Sequence, residues 1–252
     1  MKTIAVITGA TSGLGKATAY KFAALGYQLI VTGRREERLK DLADDITNRF
    51  NVNVLPLCFN VQSKQQTFAA FENLPTEWQH ISILVNNAGL ALGRDSFENA
   101  DITDWETMID TNVKGLMYVT KAIVPYMIAA KKGHIINIGS IAGKEVYQNG
   151  NGYCASKFAV DALSKSMRID LLPHKIKVTG IHPGAVDTEF SIVRFKGDAD
   201  KAAAVYKGYD ALTADDVADV IAYCATLPPH VCINDLVLTP LAQANSFYLW
   251  KE

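Results

Sequence analysis

Thr8-Gly9-Ala10-Thr11-Ser12-Gly13-Leu14-Gly15 follows directly on the apolar run Ile4-Ala5-Val6-Ile7, and this junction decides the fold. The run reads as a buried strand, the glycines as a tight turn, and a helix begins at about Gly13. A strand, a glycine turn and a helix N-terminus in succession expose backbone N–H groups and the positive end of a helix dipole, which together cradle a pyrophosphate. Glycine triplets are common by themselves; the strand before and the helix after give this one its meaning. Gly9, Thr11, Ser12, Gly13, Leu14 and Gly15 are therefore cofactor-binding candidates.

Outward from this turn, short β-branched runs alternate with longer amphipathic ones, the pattern of parallel strands joined by crossover helices. Strands are expected at residues 3–8, 28–32, 53–59, 81–86, 133–139, 175–181 and 235–239, with helices starting near Gly13, Arg35, Lys64, Ile102, Gly152 and Thr213. The architecture implied is α/β: one doubly wound domain over residues 1–252, a seven-stranded, mostly parallel sheet flanked by helices. No Pro/Gly/Ser-rich linker or internal repeat divides the chain. The polar stretch 188–209, punctuated by Gly197 and Gly208, reads as an excursion outside the sheet and a natural lid. Thr213 with Asp216 is an N-cap with an acid in the first turn, which explains Asp215 and Asp216 structurally.

The 252 residues carry a net charge of −1 and no basic stripe, which argues against nucleic acid or an anionic membrane as the main partner. No apolar run approaches the ~20 residues of a membrane span. Cys58, Cys154, Cys224 and Cys232 lack the spacing of a zinc site or a disulfide framework, so reduced thiols in a cytoplasmic protein are expected. His80, His134, His174, His182 and His230 are equally scattered, and no metal site is expected. The apolar tail Phe247-Tyr248-Leu249-Trp250 calls for burial against the core or a neighbouring subunit.

The second strand ends in Val31-Thr32-Gly33-Arg34-Arg35, where an NAD-selective site would present an acid to the adenosine ribose. Guanidiniums suit a 2′-phosphate, so the expected cofactor is NADP, with Arg34 the stronger candidate of the two. Further along, Tyr153 and Lys157 are spaced to share one helix face, pairing a phenol with an ammonium. A cation that favours the phenolate brings a group with a reference pKa near 10 closer to use.

Taken with Asn86-Asn87-Ala88-Gly89, Asn112, Ser140 and Pro183-Gly184 followed by Thr188, these residues resemble the short-chain dehydrogenase/reductase family over residues 8–188. Residues 86–93, 104–116 and 189–198 are similar, more narrowly, to NADP-dependent 3-hydroxy acid dehydrogenases that oxidise serine and allo-threonine. Asn60-Val61 departs from the family's usual Asp-Val near the adenine, although asparagine still offers an acceptor.

The resemblance implies a Rossmann fold and a set of roles. Tyr153 would be general acid or base, Ser140 would stabilise the developing oxyanion, and Lys157 would hold the nicotinamide ribose and favour the phenolate. Asn112 would hold a water linking Lys157 to solvent. Asn86, Asn87, Ala88 and Gly89 would line the cofactor with Asn60 and Val61, while Pro183, Gly184, Val186 and Thr188 would approach its carboxamide end. For a substrate carboxylate, Arg194 is the candidate clamp, with Tyr147 or Gln148 contributing polar contacts. A 3-hydroxy acid dehydrogenase is the leading reading; a carbonyl reductase of neutral ketones and a non-catalytic NADP-binding sensor are the alternatives. Relatives in the family are commonly tetramers.

Overall fold

A computed structural model describes residues 3–252. The first part of the chain alternates strictly: β1 (Ile4–Thr8), α1 (Gly13–Ala24), β2 (Gln28–Gly33), α2 (Glu36–Phe50), β3 (Val54–Cys58), α3 (Lys64–Glu72) and β4 (Ile81–Asn86). The next crossover is longer, with α4 (Ile102–Ile109) passing through a π turn (Asp110–Gly115) into α5 (Leu116–Ala130) before β5 (Gly133–Ile138). Then come α6 (Asn151–Leu171), β6 (Ile176–Pro183), the short helices α7 (Glu189–Arg194) and α8 (Ala199–Val205), α9 (Ala214–Thr226) and β7 (Asp235–Leu238).

The strands form one seven-stranded sheet in the order β3-β2-β1-β4-β5-β6-β7. Every pairing is parallel, so the sheet goes further than the mostly parallel one expected. Each strand returns to the same end of the sheet through a helix, which only parallel pairing allows. All five residues of β1 are buried because helices cover both faces. Ala5 and Ile7 join Phe22, Leu42, Ile46, Val217 and Ile221 of α1, α2 and α9 on one side. Ile4 and Val6, pointing the other way, join Phe71, Val119, Ile123 and Met127 of α3 and α5.

Strand order reverses between β1 and β4, and a crevice opens beyond their carboxyl ends. Side chains staple its two walls together. Asn87 Nδ2 donates to the carbonyl of Thr8 at 2.9 Å, and Thr8 Oγ1 accepts from the N–H groups of Asn87 and Ala88 at 3.0 and 2.9 Å.

Residues 188–209 hold α7 and α8, capped by Thr188 and Asp198. This segment is tied down at several points. The Gly93 N–H donates to Arg194 O at 3.0 Å, Lys196 pairs with Asp104 at 2.9 Å, and the Tyr206 hydroxyl donates to Val186 O at 2.8 Å. Thr213 and Asp216 form a full capping box at the start of α9. Of the two expected sites of burial for the tail, the chain's own core does not supply one for Phe247, Tyr248 and Trp250, which are exposed. Among the described residues no helix is long and apolar enough to cross a membrane.

Candidate active site

A cavity of about 480 Å³ runs along the crevice, a size suited to a small-molecule site. Gly9, Thr11, Ser12, Gly13 and Leu14 form its floor. Gly9 and Gly13 have φ of 65° and 50°, a left-handed geometry that costs other residues energy, so the turn requires glycine at both. Gly15 lies outside the cavity wall; a side chain there would collide with the Gly9 carbonyl and with Asn87, so its function is to let α1 pack close to the turn.

Arg34 and Arg35 both line the cavity, but Arg35 is the one that reaches the glycine turn. Its Nη2 donates to Thr11 Oγ1 at 2.7 Å and to Ser12 Oγ at 2.9 Å, while Nη1 pairs with Glu189 at 3.2 Å. Arg34, the candidate ranked first, makes no such contact and stands at the same end of the cavity. Asn60 and Val61 line the same end, yet the Asn60 side chain is engaged locally, donating to Gln62 Oε1 and accepting from the Gln62 N–H. Guanidiniums beside a glycine turn, with the one acid of the wall already paired to arginines, make a donor set that fits a phosphorylated dinucleotide.

Asn87, Ala88 and Gly89 form the middle of the wall. Asn86 does not: it is buried beneath, donating to Thr120 Oγ1 and Asn137 Oδ1 at 2.9 Å each, and so ties β4 to α5 and β5. Pro183, Gly184, Val186 and Thr188 form the opposite wall. Gln243, which carries no sequence signal, orders that wall by accepting from the Ala185 N–H at 2.9 Å.

At the inner end, Ser140 leaves β5 and caps a short turn, its Oγ accepting from the Ala142 N–H at 3.1 Å. Its own hydrogen remains available, and the hydroxyl is near enough to the Tyr153 phenol to lower that group's pKa. Tyr153 and Lys157 are both buried on one face of α6. Lys157 Nζ donates to the Ile138 carbonyl at 2.9 Å and lies 5.9 Å from the Tyr153 ring centroid.

Burial pushes the Tyr153 phenol well above its ordinary range, with Tyr147 adding to the rise and the Ser140 hydroxyl and Arg194 opposing it. Burial also pulls the Lys157 ammonium down to about 8. In the cofactor-free protein desolvation is the larger effect on the phenol, and the cation that opposes it is Arg194. The phenol is consequently a protonated donor at neutral pH.

Asn112 sits in the π turn, buried and outside the cavity wall. Its Nδ2 donates to Leu90 O and Ser156 Oγ, and its Oδ1 accepts from the Leu90 N–H. A Cβ on Gly89 would stand 3.2 Å from that Oδ1 and 3.6 Å from Lys157 Nζ, which places the amide close to the ammonium. Turns of this type concentrate at functional sites.

Over the phenol lies Arg194, its guanidinium carbon 5.5 Å from the Tyr153 ring centroid. Its Nη2 donates to the Tyr147 hydroxyl at 2.9 Å, and its Nε is buried with no hydrogen-bond partner. Phe190 packs edge-on to Tyr153 at 5.7 Å. Gln148 is exposed and outside the wall, unlike Tyr147. Sequence reading missed Arg94, whose guanidinium lies 5.9 Å from the Tyr147 ring; the only signal was its place five residues beyond Gly89. The wall holds Arg34, Arg35, Arg94, Lys157 and Arg194 against one acid, Glu189, itself paired to Arg35 and Arg38. A chain of net charge −1 has concentrated positive charge where the ligand goes.

A model of the short chain dehydrogenase family matches residues 3–198. The chain is 46% identical over 242 residues to the NADP-dependent 3-hydroxy acid dehydrogenase YdfG of Salmonella typhi, covering 96% of each protein. It is 45% identical to a sulfoacetaldehyde reductase of Chromohalobacter salexigens, covering 96% of this chain and 95% of that protein. Among solved structures it resembles the closed form of serine dehydrogenase complexed with NADP+, with a TM-score of 0.92, 44% identity and 99% of both chains covered.

Proposed function

This chain belongs to the short-chain dehydrogenase/reductase family, and on that premise we propose that it is an NADP-dependent oxidoreductase of small 3-hydroxy acids such as serine or allo-threonine, acting at the C3 hydroxyl or its carbonyl counterpart. The observation that carries the substrate class is Arg194, a guanidinium with a buried, unpartnered Nε standing over the proton-donating phenol. A buried donor left unpaired costs about 1–3 kcal/mol, a cost that a bound carboxylate removes.

The nicotinamide, when bound, supplies or accepts the hydride. Arg34, Arg35 and the Thr11–Gly13 turn hold the phosphates, and Lys157, within reach of Asn112, holds the ribose hydroxyls. Tyr153 donates its proton to the carbonyl oxygen in reduction and withdraws one from the alcohol in oxidation, a role worth roughly 10²–10⁴-fold. Ser140, its Oγ already oriented by the Ala142 N–H, donates to the same oxygen as charge develops. Arg194 and Tyr147 orient the carboxylate so that C3 faces the phenol. The segment 188–209 carries Arg194, and we assign it as the lid that closes on substrate.

Steady-state kinetics of Arg194→Ala on serine, 3-hydroxypropionate and an uncharged ketone test this. The acids should lose roughly 10²-fold in kcat/KM while the ketone changes little; equal losses refute the clamp. A second reading, a short sulfonated aldehyde, is supported by Arg94, since a three-oxygen anion accepts donors from two guanidiniums at once. Sulfoacetaldehyde in the same panel discriminates the two. The unpaired Arg194 Nε disfavours a neutral ketone as the preferred substrate. We further place the exposed Phe247, Tyr248 and Trp250 in a contact between copies within a tetramer in the cytoplasm, to be checked by light scattering of the enzyme and of a variant with the three replaced by serine.

A further inference from the structure

Behind Ser140 lies a buried histidine that the mechanism leaves unused. His182, near the end of β6, is fully buried, and its Nδ1 lies 3.3 Å from the Ser140 carbonyl oxygen. Its Nε2 lies 2.7 Å from Asp235 Oδ1 on β7 and 3.8 Å from Asp161 Oδ1 on α6. Burial holds the ring below its ordinary pKa and so neutral, and with its one hydrogen on Nδ1 it donates to the Ser140 carbonyl, while Lys144 offsets the acids that face the bare Nε2. The fold makes room for this ring deliberately: a side chain on Gly139 would collide with it, and a Cβ on Gly180 would stand 2.8 Å from Nε2.

Asp161, His182 and Asp235 have the donors of a divalent-cation site. The place is taken, however, by Lys144, whose Nζ lies 2.7 Å from a carboxylate oxygen of each acid. Lys144 follows the short turn that Ser140 caps, and Asp161 lies one helical turn beyond Lys157 on the helix that carries Tyr153. The scattered His182 of the sequence is thus part of a charged cluster joining three elements that meet at the reacting groups.

We propose that His182 is a positioning residue for the reaction: with Lys144, Asp161 and Asp235 it fixes the Ser140 turn against α6, so that the Ser140 hydroxyl keeps its place beside the Tyr153 phenol. This rests on the role assigned to Ser140 above. A displacement of about 1 Å in such a group costs on the order of 10²-fold in rate.

The test is a double-mutant cycle. His182→Phe keeps an aromatic ring and removes both nitrogens; kcat should fall roughly tenfold to hundredfold, with NADPH affinity by fluorescence titration close to that of the wild type. In a Ser140→Ala background the same substitution should lower kcat no further, because the hydroxyl it positions is gone. His182→Gln, which retains a donor, should recover part of the rate. Additive losses in the double variant, or a His182→Phe enzyme as fast as wild type, overturn the proposal. If His182→Phe does not fold, Asp235→Asn at the half-exposed partner serves instead: a fall in kcat that disappears in the Ser140→Ala background supports the proposal, and an additive loss or none overturns it. Failure of the reading of Ser140 itself shows separately, as a Ser140→Ala enzyme with undiminished kcat.

Discussion

Replacing Lys157 with methionine separates the electrostatic cost of the site from its chemistry. The ammonium is buried with the Ile138 carbonyl as partner, and burial lowers its pKa from 10.5 to about 8. At about 1.4 kcal/mol per pH unit, that fall corresponds to a native-state cost of about 3 kcal/mol at pH 7. Because the folded value is depressed, the unfolded chain holds the proton more tightly. The cost is therefore full below pH 8, shrinks as pH rises toward 10.5, and is gone above it. Methionine fills similar space without charge but gives up the bond to Ile138, worth about 1 kcal/mol. The cofactor-free variant should consequently be more stable than wild type at pH 7 by about 2 kcal/mol, or roughly 4–8 °C in Tm for a chain of this size.

Urea denaturation of both proteins between pH 7 and pH 10, without cofactor, measures the difference, and groups common to both cancel. Added NADPH should reverse the order, since only the wild type has the ribose contact to be stabilised by mass action. A variant no more stable at pH 7, with a difference from wild type that stays flat between pH 8 and 10, would refute the account of Lys157 as a strained buried cation.

Tyr153→Phe should reduce kcat by roughly 10²–10⁴-fold while NADPH affinity by fluorescence titration stays unchanged, as the phenol is donor rather than anchor. Arg35→Gln removes the guanidinium donors now on Thr11 and Ser12; the ratio of NADPH to NADH in kcat/KM should fall roughly tenfold or more, with NADH kinetics little altered. Thr213→Ala breaks the capping box of α9 far from the cavity and should cost about 1 kcal/mol in urea denaturation without changing kcat.

Much of the fold was legible because it is written in local signals. The continuous apolar run of β1 reports burial on both faces, and β4 begins and ends where its pattern predicts. The capping box at Thr213 was readable from two residues, since a cap is a contact over three positions. Other features depend on partners distant in sequence. The π turn at Asp110–Gly115 interrupts a stretch with good helical periodicity, and Asn112 within it meets Leu90 and Ser156. The tail is apolar without being buried, because composition states what a segment prefers to contact and not whether its own chain supplies it.

The site divides the same way, between residue types that chemistry demands and electrostatics that only burial fixes. Tyr153 and Lys157 are recognisable by spacing and Ser140 by the family resemblance, and the fold lines one cavity with all three. Their charge states are another matter. A phenol four residues from an ammonium reads as an activated phenolate, yet the pair is so deeply enclosed that the phenol is pushed up and the ammonium down. Each shift disfavours the charged form, yet below pH 8 Lys157 stays a cation while the phenol stays neutral, and what favours the phenolate must come from bound groups and from Arg194, the cation that opposes the rise on Tyr153. Arg194 belongs to α7, and α7 is fastened to the glycine turn through Glu189 and Arg35 and to the body through Gly93. The proton donor's acidity is thereby tied to the same segment that carries the substrate clamp. With α7 displaced, Tyr153 loses the opposing cation and its proton is held more tightly; with α7 in place, the clamp and the acid are set together. That coupling follows from two contacts spread over more than 150 residues of sequence, from Arg35 and from Gly93 to α7, which is why no motif announces it.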